Sequence, residues 1–255
     1  MMSKRALLLV LIVACMAGCG NQPSEFTHDV LLPMTPVKNQ GKTELCWAYA
    51  MLATIETEHI LRGDSVNLSA VYVGRMLKRD NQRAMCQTLL NIIQRDGIVG
   101  YDVLPDDATD ALPTPKWVFM LGARYTPLEF AHSVCAPDEY LSLTCLPDSP
   151  YYNKVEVPIA DNWEHNRLLN VPKDTLRSHV DRALRHRHPV CWESAGHAMA
   201  IVGLAHDAEK RRYYVLKNSW GTDQPHGGLV YMSPDELWQQ TIAIYMTQQA
   251  YYNEN

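Results

Sequence analysis

The sequence predicts an α+β protein in two halves, the first helical and the second built of antiparallel strands, with a natural cleft where they meet. Helix formers and apolar residues at helical spacing fill 46–61, 70–79 and 85–95. Short β-leaning runs broken by Gly196, Gly203, Gly221, Gly227 and Gly228 fill the region after 190. The chain has 255 residues, 47% hydrophobic and 20% charged, enough to bury a full core as one large domain or two packed lobes.

At the N-terminus, Lys4 and Arg5 precede an apolar run from Ala6 to Gly18, which at 13 residues is too short to span a bilayer as a mature helix. It reads as an export signal. Ala17 and Gly18 stand directly before Cys19, an arrangement that resembles the lipobox of bacterial lipoproteins, in which the cysteine is lipidated and becomes the first residue. Cys15 is a weaker candidate for that role, and a simple cleaved signal or an uncleaved anchor are the alternatives. The expected organisation is a signal peptide at 1–19, a polar tether at 20–33 and a folded domain at 34–255, outside the cytoplasm and held to a membrane by its lipid.

Cys46 opens the first expected helix, since Ala48, Ala50, Met51, Leu52, Ala53 and Glu56 follow it and Gly63 stands where a left-handed cap is common. Ser69 caps the next helix, and Met85, Leu89, Ile92 and Ile93 line one face of the third before Gly97. From about 105 to 172 the chain is Pro-rich and irregular apart from a β-leaning piece at 154–159, with room for an insertion. A helix over 174–186 then leads into strands near 190–193, 198–204, 213–217, 228–232 and 241–246.

The charge balance narrows the partners. With 23 basic against 28 acidic residues and a formal charge of -5, no basic patch of the kind a phosphate backbone needs stands out, so nucleic acid is not an expected partner. Loss of the signal leaves Cys46, Cys86, Cys135, Cys145 and Cys191; an odd number in an exported chain implies at least one free thiol, kept for reactivity. Cys135 and Cys145 suit either a local pair or two separate core residues.

Three segments carry matching chemistry: PVKNQGKTELCWAYA at 36–50, GHAMAIVG at 196–203 and YYVLKNSWG at 213–221. A thiolate is the attacking form of cysteine, and a thiol at a helix N-terminus beside a histidinium falls from about 8.5 to roughly 3–4 in pKa. Cys46 has that position. His197, at the mouth of a strand, suits the base that later protonates a leaving amine, and the Asn218 amide oxygen can fix its tautomer without adding charge. Trp220 can screen that hydrogen bond from water. The Gln40 side-chain amide, six residues before Cys46, and the Cys46 backbone N–H can hold the oxyanion of a tetrahedral intermediate.

In order and wording these segments resemble the papain-like cysteine peptidases: Gln40, then Cys46–Trp47, then Gly196–His197, then Asn218–Ser219–Trp220–Gly221. The HAM and KNSWG wording, with GGLVYM after it, is more similar to the bleomycin hydrolase and aminopeptidase C branch. The resemblance implies a two-lobed fold with a helical N-terminal lobe, a barrel-like antiparallel C-terminal lobe and the active-site cleft between them. It also implies cleavage of peptides or proteins through a thioester, with Cys46, His197, Asn218 and Gln40 catalytic, Trp220 and Trp47 in support, and no cofactor or metal. The spacing from Cys46 to His197 is near the ~130–150 residues common between such partners.

Departures limit what is carried over. Thr43, Glu44 and Leu45 stand where the family often has a second cysteine and a glycine, and Glu44 and Leu45 are expected to crowd the oxyanion region. Too few residues separate Cys19 from Gln40 for a long inhibitory propeptide. A silent papain-fold binding lipoprotein, or an acyl or amide transferase using the same core, remain alternatives, and a C-terminal tail from Gln248 to Asn255 lying in the cleft would favour aminopeptidase action. His186 and His188 in RHRHP fit a basic helix end better than a metal site, and His206 with Asp207 fits a polar turn better than a second base.

Overall fold

A computed structural model describes residues 25–252. The expected signal peptide with Cys19, and the start of the tether, lie outside the described residues. Helix α1 (Cys46–Leu61) is the central element, and every residue from Trp47 to His59 is buried. A helix buried on all sides needs no amphipathic pattern. One side meets α2 (Ala70–Leu77) and α3 (Cys86–Asp96), and the other meets strands β7 (Val190–Ser194) and β8 (His197–His206). Ser69 caps α2 by accepting from the Tyr72 N–H. Gly97 ends α3 at φ 84°, where a Cβ would sit 2.2 Å from the Pro127 backbone, so no other residue fits this close approach.

The second half forms one nine-stranded sheet in the order β10-β9-β8-β7-β11-β4-β6-β5, with β1 also on β8. Its strands are β1 (Thr27–Leu31), β4 (Tyr140–Thr144), β5 (Lys154–Glu156), β6 (Arg167–Asn170), β7, β8, β9 (Arg212–Lys217), β10 (Leu229–Met232) and β11 (Ala243–Thr247). The α+β division holds as expected, but the sheet runs as an open path and not a closed barrel, because β4, β6 and β5 extend it beyond β11. One pair, β4 with β6, is parallel.

Two expectations change here. Thr27–Leu31 belongs to the sheet and not to a loose tether: it pairs with the end of β8 beyond β7, crossing Gly203 so closely that a Cβ there would lie 2.3 Å from the Val30 carbonyl oxygen. The 105–172 stretch supplies three sheet strands, so it is part of the fold. It also holds the hairpin β2 (Val118–Met120) and β3 (Ala123–Tyr125), and α4 (Pro127–Val134), which a Thr126–Glu129 capping box opens.

The sheet separates two cores. On one face Met51, Ile55, Leu89 and Ile92 pack around α1; on the other, Trp192, Tyr214 and Leu216 meet Leu176, Val180 and Leu184 of α5 (Lys173–Arg185) and Leu237 of α6 (Pro234–Gln240). The last helix, α7 (Gln248–Tyr252), lies on α5, where Tyr251 stacks on His179 at 4.1 Å and its carbonyl accepts from Arg182 at 2.6 Å. The tail is thus held away from the cleft as far as Tyr252, against the placement considered for Gln248–Asn255. No helix among the described residues is long and apolar enough to cross a membrane.

Candidate active site

Cys46 is the first residue of α1, and no side chain caps that helix start. It opens into a cavity of ≈ 210 Å³ whose walls include Gln40, Glu44, Glu193, His197 and Trp220. Of the two residues expected to crowd this region, only Glu44 lines the cavity. Leu45 is buried and turns into the helical lobe, where a Cβ on Gly74 would lie 2.9 Å from its Cδ1.

His197 begins β8 after a turn in which Gly196 takes φ 93°. Its Nε2 lies 3.0 Å from Asn218 Oδ1, and that same oxygen accepts the Ser219 N–H at 2.8 Å. An amide oxygen can only accept, so Nε2 carries the proton and Nδ1 is the nitrogen left for the cleft. Trp220 stacks on the imidazole at 5.1 Å with 50% of its own surface exposed, so it covers one face of the ring and leaves an entrance.

Gln40 is held from both ends: its Oε1 accepts from Ser219 Oγ at 2.6 Å and its Nε2 donates to the Thr43 carbonyl at 2.7 Å. The amide has two N–H groups, so one remains for a ligand. The loops bearing Gln40 and Asn218 are tied by Gln40 N–H to Ser219 O at 2.8 Å and Gly221 N–H to Lys38 O at 3.0 Å. Trp47 supports the opposite wall, donating its indole N–H to the Gln82 carbonyl at 2.8 Å.

The electrostatics differ from the low thiol pKa expected of a helix start. Burial is the largest influence on Cys46 and raises it; the N–H groups of Ala198 and Trp47 pull it down, Glu193 pushes it up and Arg83 pulls it down. Burial also lowers His197, against the Asn218 hydrogen bond, which raises it. Taken singly, both groups are neutral near pH 7. A helix N-terminus is worth about 0.3–1 kcal/mol, too little to offset burial. A thiolate–imidazolium contact at an effective dielectric near 20 is worth about 4 kcal/mol, or about three pKa units. Only an opposite charge brought that close within the cavity would offset burial, and the helix is secondary.

The structure adds residues that sequence reasoning missed. Ser219, in the NSWG segment, orients Gln40. Glu193 on β7 lies beneath the cavity at 4% exposure, accepting from Tyr245 Oη at 2.7 Å and the Cys86 N–H at 3.3 Å, and burial pushes its carboxyl up to about 7. Arg83 and Asp161 form a two-bonded ion pair on the rim, at 3.1 and 3.0 Å. Behind Asn218, Glu56 bonds Lys38 at 2.5 Å and Thr35 at 2.5 Å, and Thr35 Oγ1 accepts from Lys217 at 2.7 Å. Lysine and glutamate at ordinary spacing gave no signal of this burial.

The remaining candidates have other partners. His188 is buried against Glu58, Nδ1 to Oε1 2.9 Å, and is no part of a solvated helix end. His206 Nδ1 lies 3.0 Å from Asp29. Cys135 and Cys145 are both free thiols. Among the described residues no group of three or more His, Cys, Asp or Glu side chains is disposed to hold a metal ion.

A cysteine at a helix start, a histidine at a strand start and an asparagine behind it, meeting at a cleft between a helical layer and a sheet, define the class of thiol-nucleophile acyl-transfer sites. Comparison with known proteins shows what the chain is similar to. Residues 175–251, which contain His197 and Asn218, match the family described as "Papain family cysteine protease". The chain is 25% identical over 210 residues to ananain of Ananas comosus, covering 79% of this chain and 53% of that protein, and 25% identical over 218 residues to procathepsin L of Felis catus, covering 79% and 58%. It thus spans a little over half the length of these relatives.

Among solved structures, PepW of Lactobacillus rhamnosis superposes with a TM-score of 0.70 at 15% identity, covering 97% of this chain and 90% of that one. Procathepsin L2 of Tenebrio molitor superposes with 0.55 at 14% identity, covering 92% and 71%. Together these likenesses show a papain-like fold and a sequence similar to papain-family cysteine proteases.

Proposed function

We propose that the protein hydrolyses peptide bonds through a thioester acyl-enzyme, with Cys46 as nucleophile, His197 as acid and base, Asn218 as the group that orients His197, and Gln40 with the Cys46 N–H as oxyanion donors. One observation carries the reading: His197, locked through Nε2 by Asn218, lines the same cavity that Cys46 enters from the start of α1. Transfer of the thiol proton to Nδ1 leaves the net charge of the pair unchanged, which suits a cleft whose burial opposes isolated charges. The thiolate adds to the substrate carbonyl, and the oxyanion meets the free N–H of Gln40. Imidazolium then protonates the leaving amine, and water, deprotonated by the same nitrogen, releases the acid.

Peptides or proteins are the proposed substrates. The wording around His197 and Asn218, with the likeness to PepW, supports placement near the bleomycin hydrolase and aminopeptidase C branch. Lipidation at Cys19 and a site of action outside the cytoplasm rest on the N-terminal sequence alone. Because Leu45 faces away from the cleft, only Glu44 is left to crowd it, which weakens the support for a silent binding protein. Digestion of a peptide library tests the proposal: new N-termini produced by the wild type and not by Cys46→Ala support hydrolysis, products joined to an added amine point to a transferase, and an unchanged library with folded protein refutes it.

A further inference from the structure

We propose that Cys86 and Cys191 form a dithiol that closes to a disulfide, joining the helical lobe to the sheet directly beneath the cleft. The two sulfurs lie 3.5 Å apart and belong to residues 105 positions apart in the chain. Both residues are fully buried. Cys86 opens α3 and Cys191 lies in β7, so a bond between them crosses the interface on which the cleft depends.

Independent contacts hold the two elements in register. Glu193, two residues along β7 and therefore on the same face as Cys191, accepts the Cys86 N–H with both carboxylate oxygens at 3.3 Å. Tyr245 Oη of the neighbouring strand holds that carboxylate at 2.7 Å. A bond length near 2 Å requires the two sulfurs to close from 3.5 Å. None of the five described cysteines is bridged in this structure.

The reaction needs a disulfide oxidant such as oxidised glutathione. One cysteine loses its proton and its sulfur displaces a glutathione thiolate, giving a mixed disulfide. The second, also deprotonated, attacks the protein sulfur of that bond and expels the second thiolate. Two protein thiols are oxidised by two electrons and one glutathione disulfide is reduced to two thiols. Burial pushes the Cys86 thiol well up, so in the folded protein the exchange is slow and follows local opening. During folding it is fast. Cys46, in the open cleft, is outside the pair and stays free for chemistry.

The test refolds the full chain in a reduced and oxidised glutathione buffer, blocks remaining thiols with N-ethylmaleimide in acidic denaturant, and maps the unreduced digest by mass spectrometry. The expected result is a peptide linking Cys86 to Cys191, with Cys46, Cys135 and Cys145 alkylated. Reduction should then lower the melting temperature of the wild type by about 10 °C and leave a Cys86→Ala, Cys191→Ala double variant unchanged. Alkylation of Cys86 and Cys191 in the oxidised sample, or a link from either to another cysteine, overturns the proposal. If the double variant does not fold, the wild-type map alone decides it. The map requires no turnover, so it is independent of the proposed peptidase activity.

Discussion

His197 Nε2 and Asn218 Oδ1 stand 3.0 Å apart, and this single hydrogen bond decides which imidazole nitrogen is left for the cavity that Cys46 lines. The asparagine is itself 7% exposed, so its oxygen has little access to competing water. Asn218→Ala removes the bond and frees the ring to rotate. A hydrogen bond worth about 1.5–3 kcal/mol when charge-assisted predicts a loss in kcat of about 10- to 100-fold, with KM nearly unchanged, measured on a peptide substrate.

The pH dependence follows from the same pair. Activity needs one proton shared by Cys46 and His197. Burial lowers His197 from 6.5, so the second proton leaves only at more acidic pH, and the acid limb falls below 6.5. Burial raises Cys46 from 9.0, so the shared proton is lost only above that value. The profile of kcat/KM is expected to be flat from pH 6.5 to 9, and an acid limb above 6.5 contradicts this.

Glu193 links stability to pH in the opposite sense to most carboxylates. Its folded value, raised from 4.5 to about 7, means that the native state keeps a proton the unfolded chain has lost between those two values. Its contribution is therefore full below pH 4.5 and disappears as pH rises to about 7, a change of about 3 kcal/mol. Urea unfolding across this range should show that loss in the wild type and a much flatter profile in Glu193→Gln.

Among the described residues Glu56 is the only carboxylate paired with Lys38 in the network beneath Asn218, and burial there lowers Lys217 to about 8. Glu56→Ala leaves two cations without their counter-charge in a buried site, which predicts a destabilisation of about 3–5 kcal/mol. Chemical denaturation measures it, and a change below about 1 kcal/mol would show that water reaches the network.

Much of this was legible in the sequence because local signals agreed. The helix of Cys46–Leu61 and the strands carrying His197 and Arg212–Lys217 have the expected types and nearly the expected ends, since caps, glycines and apolar runs coincide there. Cys46, Gln40, His197 and Asn218 fell in segments whose order matched one chemistry. What stayed hidden depends on tertiary contact. Thr27–Leu31 opens with three consecutive polar residues and becomes a strand only because β8 offers an edge beyond β7. Leu45 turns inward because Gly74 leaves room for it. Glu193 and Ser219 act through partners more than fifty positions away in the chain, which no spacing in one segment reveals.

The most direct measurement is stoichiometric labelling with a thiol-reactive peptidyl epoxide, followed by peptide mapping and an assay of residual cleavage. The account predicts one label per chain, on Cys46, with cleavage lost in proportion and labelling greatly slowed in His197→Ala. Label on another cysteine with cleavage intact, or rapid labelling of Cys46 that does not depend on His197, would contradict it.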